Sequence, residues 1–209
     1  MKELEKNGYI FLPKLIEDPE NLFCPPPVDQ DGKRITGQLT FLRKDKVKYS
    51  PEESQVKGSL ARYSSPEYKE LHFLVRKIIE RKLSIDLLPT YFYDRFYFVG
   101  QELPRHTDRP ACEISVTLQI STNSTKPWPI WFQKPNGDEG YVVMENGDAA
   151  VYMGCERPHW REPLKSKYNR VQNLWRTFRK QEDDTYHHQI FLHYVNAQGP
   201  FVHYANDNM

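Results

Sequence analysis

The sequence has little cysteine. Its 209 residues include three, Cys24, Cys112 and Cys155, which lie far apart along the chain. An odd number of widely spaced cysteines does not form a disulfide framework, and it fits a reducing compartment better than a secreted domain. Such a small number also excludes a cysteine-rich structural zinc site. We therefore expect a cytoplasmic protein.

An excess of one charge and long apolar runs are also absent. Lysine and arginine number 29, aspartate and glutamate 28, and the net charge is +1. This balance predicts no nucleic-acid partner and no membrane partner. The N-terminal stretch "MKELEKNGYIFLPKLIEDPE" interrupts its short apolar runs with lysine and glutamate, so neither a signal peptide nor a membrane span is expected there. Oligomeric state is left open.

Two regions differ in their hydrophobic pattern. Residues 1–88 are predicted to form a support region with one main helix at about 65–83, because "SPEYKELHFLVRKIIERKL" repeats apolar residues at helical spacing. Residues 89–209 contain short segments that are rich in β-branched and aromatic residues and bounded by turn residues, which predicts an all-β sandwich or barrel. These segments are "TYFYDRFYFVG", "CEISVTLQIS", "PWPIWFQ", "GYVVME", "GDAAVYMG" and "QIFLHYVN". A charged insert at about 165–186 could be a short helix.

The stretch "LPRHTDRPACE" places a histidine and an aspartate two positions apart. Residues i and i+2 of a strand point to the same face, so His106 and Asp108 can present an imidazole and a carboxylate to one point. The best-placed third ligand is His159, in "GDAAVYMGCERPHWREPL", where a Gly-Asp turn begins a strand that ends near Pro158. Two histidines and one carboxylate suit Fe(II) and leave three positions open for a co-substrate and oxygen.

Other interpretations of these residues exist. A histidine beside an aspartate is often a hydrogen-bonded surface pair, and His159 beside Trp160 could be a packed ring. In that case the protein would be a β-sandwich interaction domain in which His106, Asp108 and His159 never meet. A second alternative is a cupin-like metal-binding or sensor module without oxygenase activity.

Several blocks of the sequence, in the same order, resemble a known group of enzymes. They are "PTYFYDRFYFVGQELPRHTDRPACEISVTLQIS", "PWPIWF", "GDAAVYMGCERPHWREP" and "QIFLHYV", between Pro89 and Val195. The pattern is similar to 2-oxoglutarate and Fe(II)-dependent oxygenases of the prolyl-hydroxylase-like group. In these, a tyrosine-bearing strand and a glycine turn lead into His-x-Asp, and a Gly-Asp turn leads into the distal histidine. The resemblance implies a mainly β fold, a double-stranded β-helix or jelly-roll barrel of cupin-like type with N-terminal helical support.

The resemblance also implies a catalytic site. His106, Asp108 and His159 would bind Fe(II), with 2-oxoglutarate as co-substrate and O2 as oxidant. The far carboxylate of 2-oxoglutarate needs a cation, which most of these enzymes place about ten residues beyond the distal histidine, on the last strand. The last strand here, "YHHQIFLHYV", has no arginine or lysine. Arg161, two positions past His159 on the same strand face, is the best substitute, and Arg170 fits the usual distance but lies in the insert.

A tyrosine can contribute to the same co-substrate site. Tyr97 matches the tyrosine that hydrogen-bonds the co-substrate in prolyl-hydroxylase-like members, with Tyr93 or Tyr91 as alternatives. Each of these could equally pack in an aromatic core. The predicted protein is thus a 2-oxoglutarate-dependent dioxygenase that hydroxylates a C–H bond of a protein or small-molecule substrate and releases succinate and CO2. The substrate itself is not encoded in any readable motif.

Overall fold

A computed structural model describes residues 2–22 and 55–207 of the chain. Cys24 and the proline-rich stretch that follows it lie outside these residues. The described α-helices are α1 (Lys2–Asn7), α2 (Lys69–Leu83) and α3 (Arg170–Phe178). The described strands are β1 (Tyr9–Leu12), β2 (Leu60–Tyr63), β3 (Leu87–Phe98), β4 (Leu103–His106), β5 (Ile114–Thr122), β6 (Ile130–Gln133), β7 (Glu139–Val142), β8 (Ala149–Tyr152), β9 (His159–Arg161) and β10 (Tyr186–Asn196). Short 3-10 helices lie at Pro19–Leu22, Pro66–Tyr68, Pro110–Cys112 and Val202–Tyr204.

The strands form two antiparallel sheets. The larger sheet has the order β1-β8-β5-β10-β3-β2, and the smaller has the order β4-β9-β6-β7. This is the mainly β, jelly-roll architecture that the sequence predicts, although hydrogen bonds between the described strands do not close it into a barrel. Strands β1 and β2 of the N-terminal region lie at the two edges of the larger sheet. The boundary at residue 88 stays a prediction, since the N-terminal region supplies sheet edges as well as a helix.

The predicted main helix is present. It begins as a 3-10 turn at Pro66 and continues as α2 to Leu83, after which Ser84 adopts a left-handed conformation with φ 57°. Its buried stripe is narrower than the apolar pattern suggests, because Leu74 is 58% exposed. The buried apolar residues recur at four-residue spacing and pack on the larger sheet; they are Leu71, Val75, Ile79 and Leu83, and His72 is buried beside them.

Strand β10 lies at the centre of the larger sheet, between β5 and β3. Alternate residues of a strand point to opposite sides of the sheet. The side that packs with α2 is called the outer face here, and it carries His188, Ile190, Leu192 and Tyr194. The side turned towards the smaller sheet is called the inner face, and it carries His187, Gln189, Phe191 and His193.

A buried charge network ties β2, β3 and β10 together on the outer face. Both oxygens of Asp94 accept hydrogen bonds from Arg62, and Asp94 Oδ2 lies 2.7 Å from Nε2 of His188. All three side chains are at most 2% exposed. Burial alone would raise the pKa of Asp94, but the hydrogen bond with His188 and the charge of Arg62 hold it below its ordinary value. The carboxylate is therefore ionised and fully paired.

The charged insert contains α3, as the sequence suggested. Asn169 caps it, and its side chain accepts a hydrogen bond from the backbone N–H of Gln172. Helix α1 and strand β2 were not predicted. Across residues 2–22 and 55–207, no helix combines the length and the apolar composition that crossing a bilayer requires.

Candidate metal centre

The three predicted ligands converge on one point. Asp108 Oδ1 lies 3.3 Å from Nε2 of His106 and 3.6 Å from Nε2 of His159. Pairing of β4 with β9 places His106 directly opposite His159, and their ring centroids are 4.3 Å apart. The interpretation in which these side chains never meet is therefore wrong. Their donor atoms lie within 4.8 Å of one another, close enough to share one metal ion.

The route by which they meet differs from the prediction. Strand β4 ends at His106, so Asp108 does not belong to it. The strand after the Gly-Asp turn, β8, ends at Tyr152, and His159 begins a separate strand, β9. Asp108 is held instead by its backbone N–H, which donates to the carbonyl of Gly154 at 2.9 Å.

Gly154 allows this close approach. A Cβ atom at this position would lie 2.5 Å from the Asp108 carboxylate, from the Cys112 carbonyl and from the Ser115 hydroxyl. Real Cβ atoms do not come so near to other atoms. Any larger residue at position 154 would therefore push Asp108 away from the two histidines.

Backbone carbonyls fix the tautomer of both histidines. Nδ1 of His106 lies 2.7 Å from the carbonyl of Pro104, and Nδ1 of His159 lies 2.9 Å from the carbonyl of Arg157. A carbonyl oxygen only accepts hydrogen bonds, so each Nδ1 carries the proton. Each Nε2 then presents a lone pair to the centre, as a metal-binding imidazole must.

The surroundings favour the metal-binding protonation states at neutral pH. Burial alone would raise the pKa of Asp108, but the neighbouring His106 and His159 hold it well below its ordinary value. Burial lowers the pKa of His159 to about 4. The centre therefore offers one carboxylate and a neutral His159 imidazole.

Gln55 and Arg95 lie against this centre. Arg95 Nη1 donates to Gln55 Oε1 at 3.0 Å, and Gln55 Nε2 lies 2.7 Å from Nε2 of His106. The amide thus donates to the lone pair that a metal ion would take. The cavity beside the three ligands measures about 10 Å³, about the room that one water molecule needs. A metal ion with a co-substrate therefore requires this amide to move aside.

His193, on the inner face of β10, is a further residue of the site that the sequence reasoning missed. Its Nδ1 lies 3.0 Å from Ser115 Oγ, which is in turn 3.2 Å from Asp108 Oδ2. The serine hydroxyl has one proton, and its other close neighbours are the Asp108 carboxylate and the Cys112 carbonyl, both acceptors only. His193 Nδ1 therefore donates to Ser115. Its Nε2 is left as a buried acceptor with no partner among the described residues.

Arg161 lies in the same interior, as strand parity predicted. It is 1% exposed, its Nη1 donates to the carbonyl of Trp128 at 2.6 Å, and the guanidinium packs 4.5 Å from the centroid of the Trp128 ring. Within the described part of the chain, Nε and Nη2 have no hydrogen-bond partner. Burial lowers the pKa of Arg161 to about 10, so it is still a cation at neutral pH. Arg170, the alternative, lies exposed at the first position of α3.

One polar group of β10, His187, lies near this guanidinium. Burial, and then the charge of Arg161, holds the pKa of His187 well below its ordinary value. His187 Nε2 and Gln189 Nε2 also lack a partner among the described residues. A buried cation beside unpaired polar nitrogens is costly unless an anion joins them, so this part of the interior suits a carboxylate.

The predicted tyrosines lie on β3 and point to the same interior. Tyr97 is fully buried; its hydroxyl accepts a hydrogen bond from Arg95 at 3.2 Å, and its ring meets the edge of Trp128. Tyr93 stacks on Phe191 with centroids 4.7 Å apart and lines the cavity beside the metal ligands. Tyr91 contacts Cys112 through its hydroxyl at 3.2 Å. These contacts do not show which of the three tyrosines would hydrogen-bond a co-substrate.

The similarity to known proteins lies in the structure. No protein-family profile matches this sequence, and no curated protein does. The structure is similar to that of a prolyl-4-hydroxylase from Pseudomonas putida, with a TM-score of 0.53, 13% identity, and coverage of 93% of this chain and 96% of that one. It is similar to HygX from Streptomyces hygroscopicus with nickel, 2-oxoglutarate and hygromycin B bound, with a TM-score of 0.61, 7% identity, and coverage of 94% and 86%.

A third similar structure is a prolyl hydroxylase from Trichoplax adhaerens in complex with a hypoxia inducible factor peptide. It has a TM-score of 0.53 at 11% identity and covers 94% of this chain and 87% of that one. At these identities the likeness shows the fold. The chain therefore has the jelly-roll fold found in 2-oxoglutarate and Fe(II) oxygenases, and the resemblance seen in the sequence blocks is confirmed at that level.

Proposed function

We propose that this protein is an Fe(II)- and 2-oxoglutarate-dependent oxygenase that hydroxylates a C–H bond of its substrate, with release of succinate and CO2. The observation that carries the proposal is one interior that contains both required sites. Two histidines and an aspartate converge at one end. Arg161 lies two residues beyond His159 on β9; it is buried, and its Nε and Nη2 have no partner among the described residues.

The donor set fits iron. Two imidazole nitrogens and one carboxylate oxygen on one side of a metal leave three positions free, the arrangement of non-haem Fe(II) oxygenases. When bound, iron would supply the oxidation of a C–H bond by O2 with 2-oxoglutarate as the co-substrate. The protein itself offers no competing nucleophile here, since burial raises the pKa of the Cys112 thiol.

Arg161 is the residue that would hold the far carboxylate of 2-oxoglutarate. Its Nε and Nη2 have no hydrogen-bond partner among residues 2–22 and 55–207, and they lie on adjacent corners of the planar guanidinium. Such a fork can bind a carboxylate through two parallel hydrogen bonds. Tyr97 and Tyr93 would line the co-substrate space, with Tyr97 the nearer to Trp128 and Arg161.

The substrate would enter where Gln55, Arg95 and His193 meet the metal ligands. Two of the similar structures illustrate the range of substrates, since one holds a peptide and another holds hygromycin B. We accordingly propose a protein side chain or a small molecule as the substrate. A cytoplasmic location, with its reducing conditions, would keep iron ferrous.

Anaerobic binding experiments test the proposal. Fe(II) and then 2-oxoglutarate are added to the purified protein, and metal affinity, co-substrate affinity and succinate formed after exposure to air are measured. We expect His106→Ala to abolish metal binding. Arg161→Met should leave metal binding intact and weaken 2-oxoglutarate about 100-fold, because a charge-assisted, two-bonded contact is lost.

Arg170→Met is the matched control, because this arginine is exposed outside the interior, and it should bind both ligands normally. Absence of metal binding by the unaltered protein would overturn the proposal. Metal binding without any 2-oxoglutarate binding would instead favour the cupin-like metal-binding or sensor module.

A further inference from the structure

Helix α3 presents its apolar side to solvent. Val171, Leu174, Trp175 and Phe178 recur at positions i, i+3, i+4 and i+7 and form one stripe. Their exposed fractions are 63%, 72%, 58% and 81%. A helix of a globular protein normally turns such a stripe inward, so this orientation needs an explanation.

The polar side of α3 contacts the parts of the insert that precede and follow the helix. Asn173 exchanges hydrogen bonds with Ser166, and Arg176 donates to the carbonyl of Glu182 and packs 4.2 Å from the ring centroid of Tyr168. Arg176 also lies 3.6 Å from the carboxylate of Asp184. These contacts hold Asn173 and Arg176 inward, and they fix the apolar stripe on the opposite, outward side.

Basic residues border the stripe. The segment 170–180 contains four cations, Arg170, Arg176, Arg179 and Lys180, and no acidic residue. At about 100° per residue, Arg170 and Arg179 project on the two sides of the apolar stripe. Both are exposed. The surface therefore combines an outward apolar ridge with positive charge along both flanks, although the whole chain is nearly neutral.

We infer that α3 is a docking element for the surface of an anionic lipid bilayer. Aromatic and aliphatic side chains on one side with arginines beside them are typical of helices that lie in the membrane interface. A convex ridge needs no groove of matching shape when its partner is lipid, and the flanking cations are complementary to anionic headgroups. This binding is peripheral and differs from the absence of a membrane partner expected from the overall charge.

The position of α3 is compatible with the proposed chemistry. The insert joins β10 at Tyr186, whereas His193 near the metal ligands lies seven residues further along that strand. Seven residues of strand span roughly 23 Å. A membrane bound by α3 would therefore leave the metal end of the interior accessible.

Vesicle co-sedimentation of the whole protein tests this inference. Vesicles of phosphatidylcholine alone are compared with vesicles that contain about 30% phosphatidylserine. We expect binding to the anionic vesicles only, weakened by salt. The double variant Leu174→Ser/Phe178→Ser should bind about 10-fold less or weaker still, because half of the inserted side chains are lost.

The matched control is Phe73→Ser/Leu74→Ser on α2, where the two side chains are 55% and 58% exposed. This variant should bind as the unaltered protein does. Arg170→Gln/Arg179→Gln should lose the preference for anionic vesicles. Since the stripe residues of α3 are exposed, the melting temperature of the α3 variants serves as the check that the fold is unchanged.

Failure of the unaltered protein to bind anionic vesicles would overturn the inference. An equal loss in the α2 control would do the same, because it would place the contact elsewhere. Light scattering on the same samples tests the other possible occupant of the stripe, a second copy of the chain. If the unaltered protein is a dimer that does not bind vesicles, and Leu174→Ser/Phe178→Ser makes it a monomer, the stripe is a dimer contact and the inference is wrong.

Discussion

His187 and His188 are neighbours in the chain, and both are buried, but they lie in opposite environments. His188 is on the outer face of β10, where its Nε2 contacts the Asp94 carboxylate at 2.7 Å and its ring stacks on Phe96 at 4.0 Å. His187 is on the inner face, where its Nε2 has no partner among the described residues and Arg161 lies nearby. Among the described residues, His188 Nδ1 also has no partner. The two sides therefore differ in charge pairing: Arg62 is paired with Asp94 on the outer face, whereas Arg161 on the inner side has two nitrogens without a partner in the described residues.

The contrast extends along the whole strand. The outer face continues with Ile190, Leu192 and Tyr194, which pack in the main hydrophobic core. The inner face continues with Gln189 and His193, which each retain a nitrogen without a partner in the described residues. Buried polar groups without partners reduce stability. The apolar packing and the paired charges of the outer face therefore contribute most of the stability of this strand, and the inner face is the side on which we propose that ligands bind.

The largest expected effect compares two carboxylates, the fully buried Asp94 and the half-buried Asp108. Asp94→Asn should destabilise the protein by about 3 kcal/mol or more, because the buried guanidinium of Arg62 loses its counter-charge. Asp108→Asn should destabilise the metal-free protein by less, because its side-chain neighbours are imidazoles and a hydroxyl and not a buried guanidinium. Urea unfolding at neutral pH measures both. Equal losses would mean that the two sides do not differ in the way described.

The second-largest expected effect is a loss of stability in acid, through His72 of α2, which packs on the outer face. Burial lowers the pKa of His72, which packs on Tyr194, from 6.5 to about 4. Between these values the unfolded chain binds more protons than the folded protein, so stability contributed by a neutral His72 is full above pH 6.5 and is lost as the pH falls towards 4. The loss is on the order of 3 kcal/mol.

Unfolding free energies between pH 7 and pH 4 measure this effect. His72→Gln, which cannot titrate but can still donate to the carbonyl of His193, should give a flatter dependence. His203→Gln changes an exposed histidine and should leave the slope as it is. A slope unchanged by His72→Gln would contradict the assignment.

The smallest expected effect comes from a direct comparison of the stabilities of His187 and His188 variants. His188→Phe should cost about 2 kcal/mol, because Asp94 loses a hydrogen-bond partner in the core. His187→Phe should be close to neutral or slightly stabilising, because no hydrogen bond of this side chain is seen within the described part of the chain and its Nε2 is buried. Thermal or urea unfolding of the two variants gives the comparison. The opposite order of stabilities would show that the inner face is the completed one.

Local chemistry made part of the site predictable. The residue types of His106, Asp108 and His159 were readable because metal ligation needs imidazole and carboxylate. Arg161 was found by parity alone, since residues two apart on a strand share a face. The strand expected to carry both His106 and Asp108 ends at His106. The convergence nevertheless holds, because the register of β4 with β9 and the hydrogen bond from Asp108 to Gly154 replace the expected geometry.

Other residues could not be placed without the tertiary structure. Gln55 lies 51 residues from His106 in the chain, and the two side chains meet only in the folded structure. His193 shares a face with His187 by simple alternation, but its contact with Ser115 and Asp108 depends on the pairing of β10 with β5. Pairing between distant strands is not encoded in local periodicity.

The sequence by itself determined the kinds of element and of chemistry: alternating strands, a helix that ends at Leu83, a charged insert able to form a helix, and two histidines and an aspartate suited to a metal. These depend on side-chain type and spacing within one segment. The tertiary structure decided on which face of β10 the buried charges are paired, which of the candidate arginines is buried, and that α3 turns its apolar stripe outward. Each of these depends on partners from other segments, and burial and hydrogen bonding between segments are fixed only when the sheets pack.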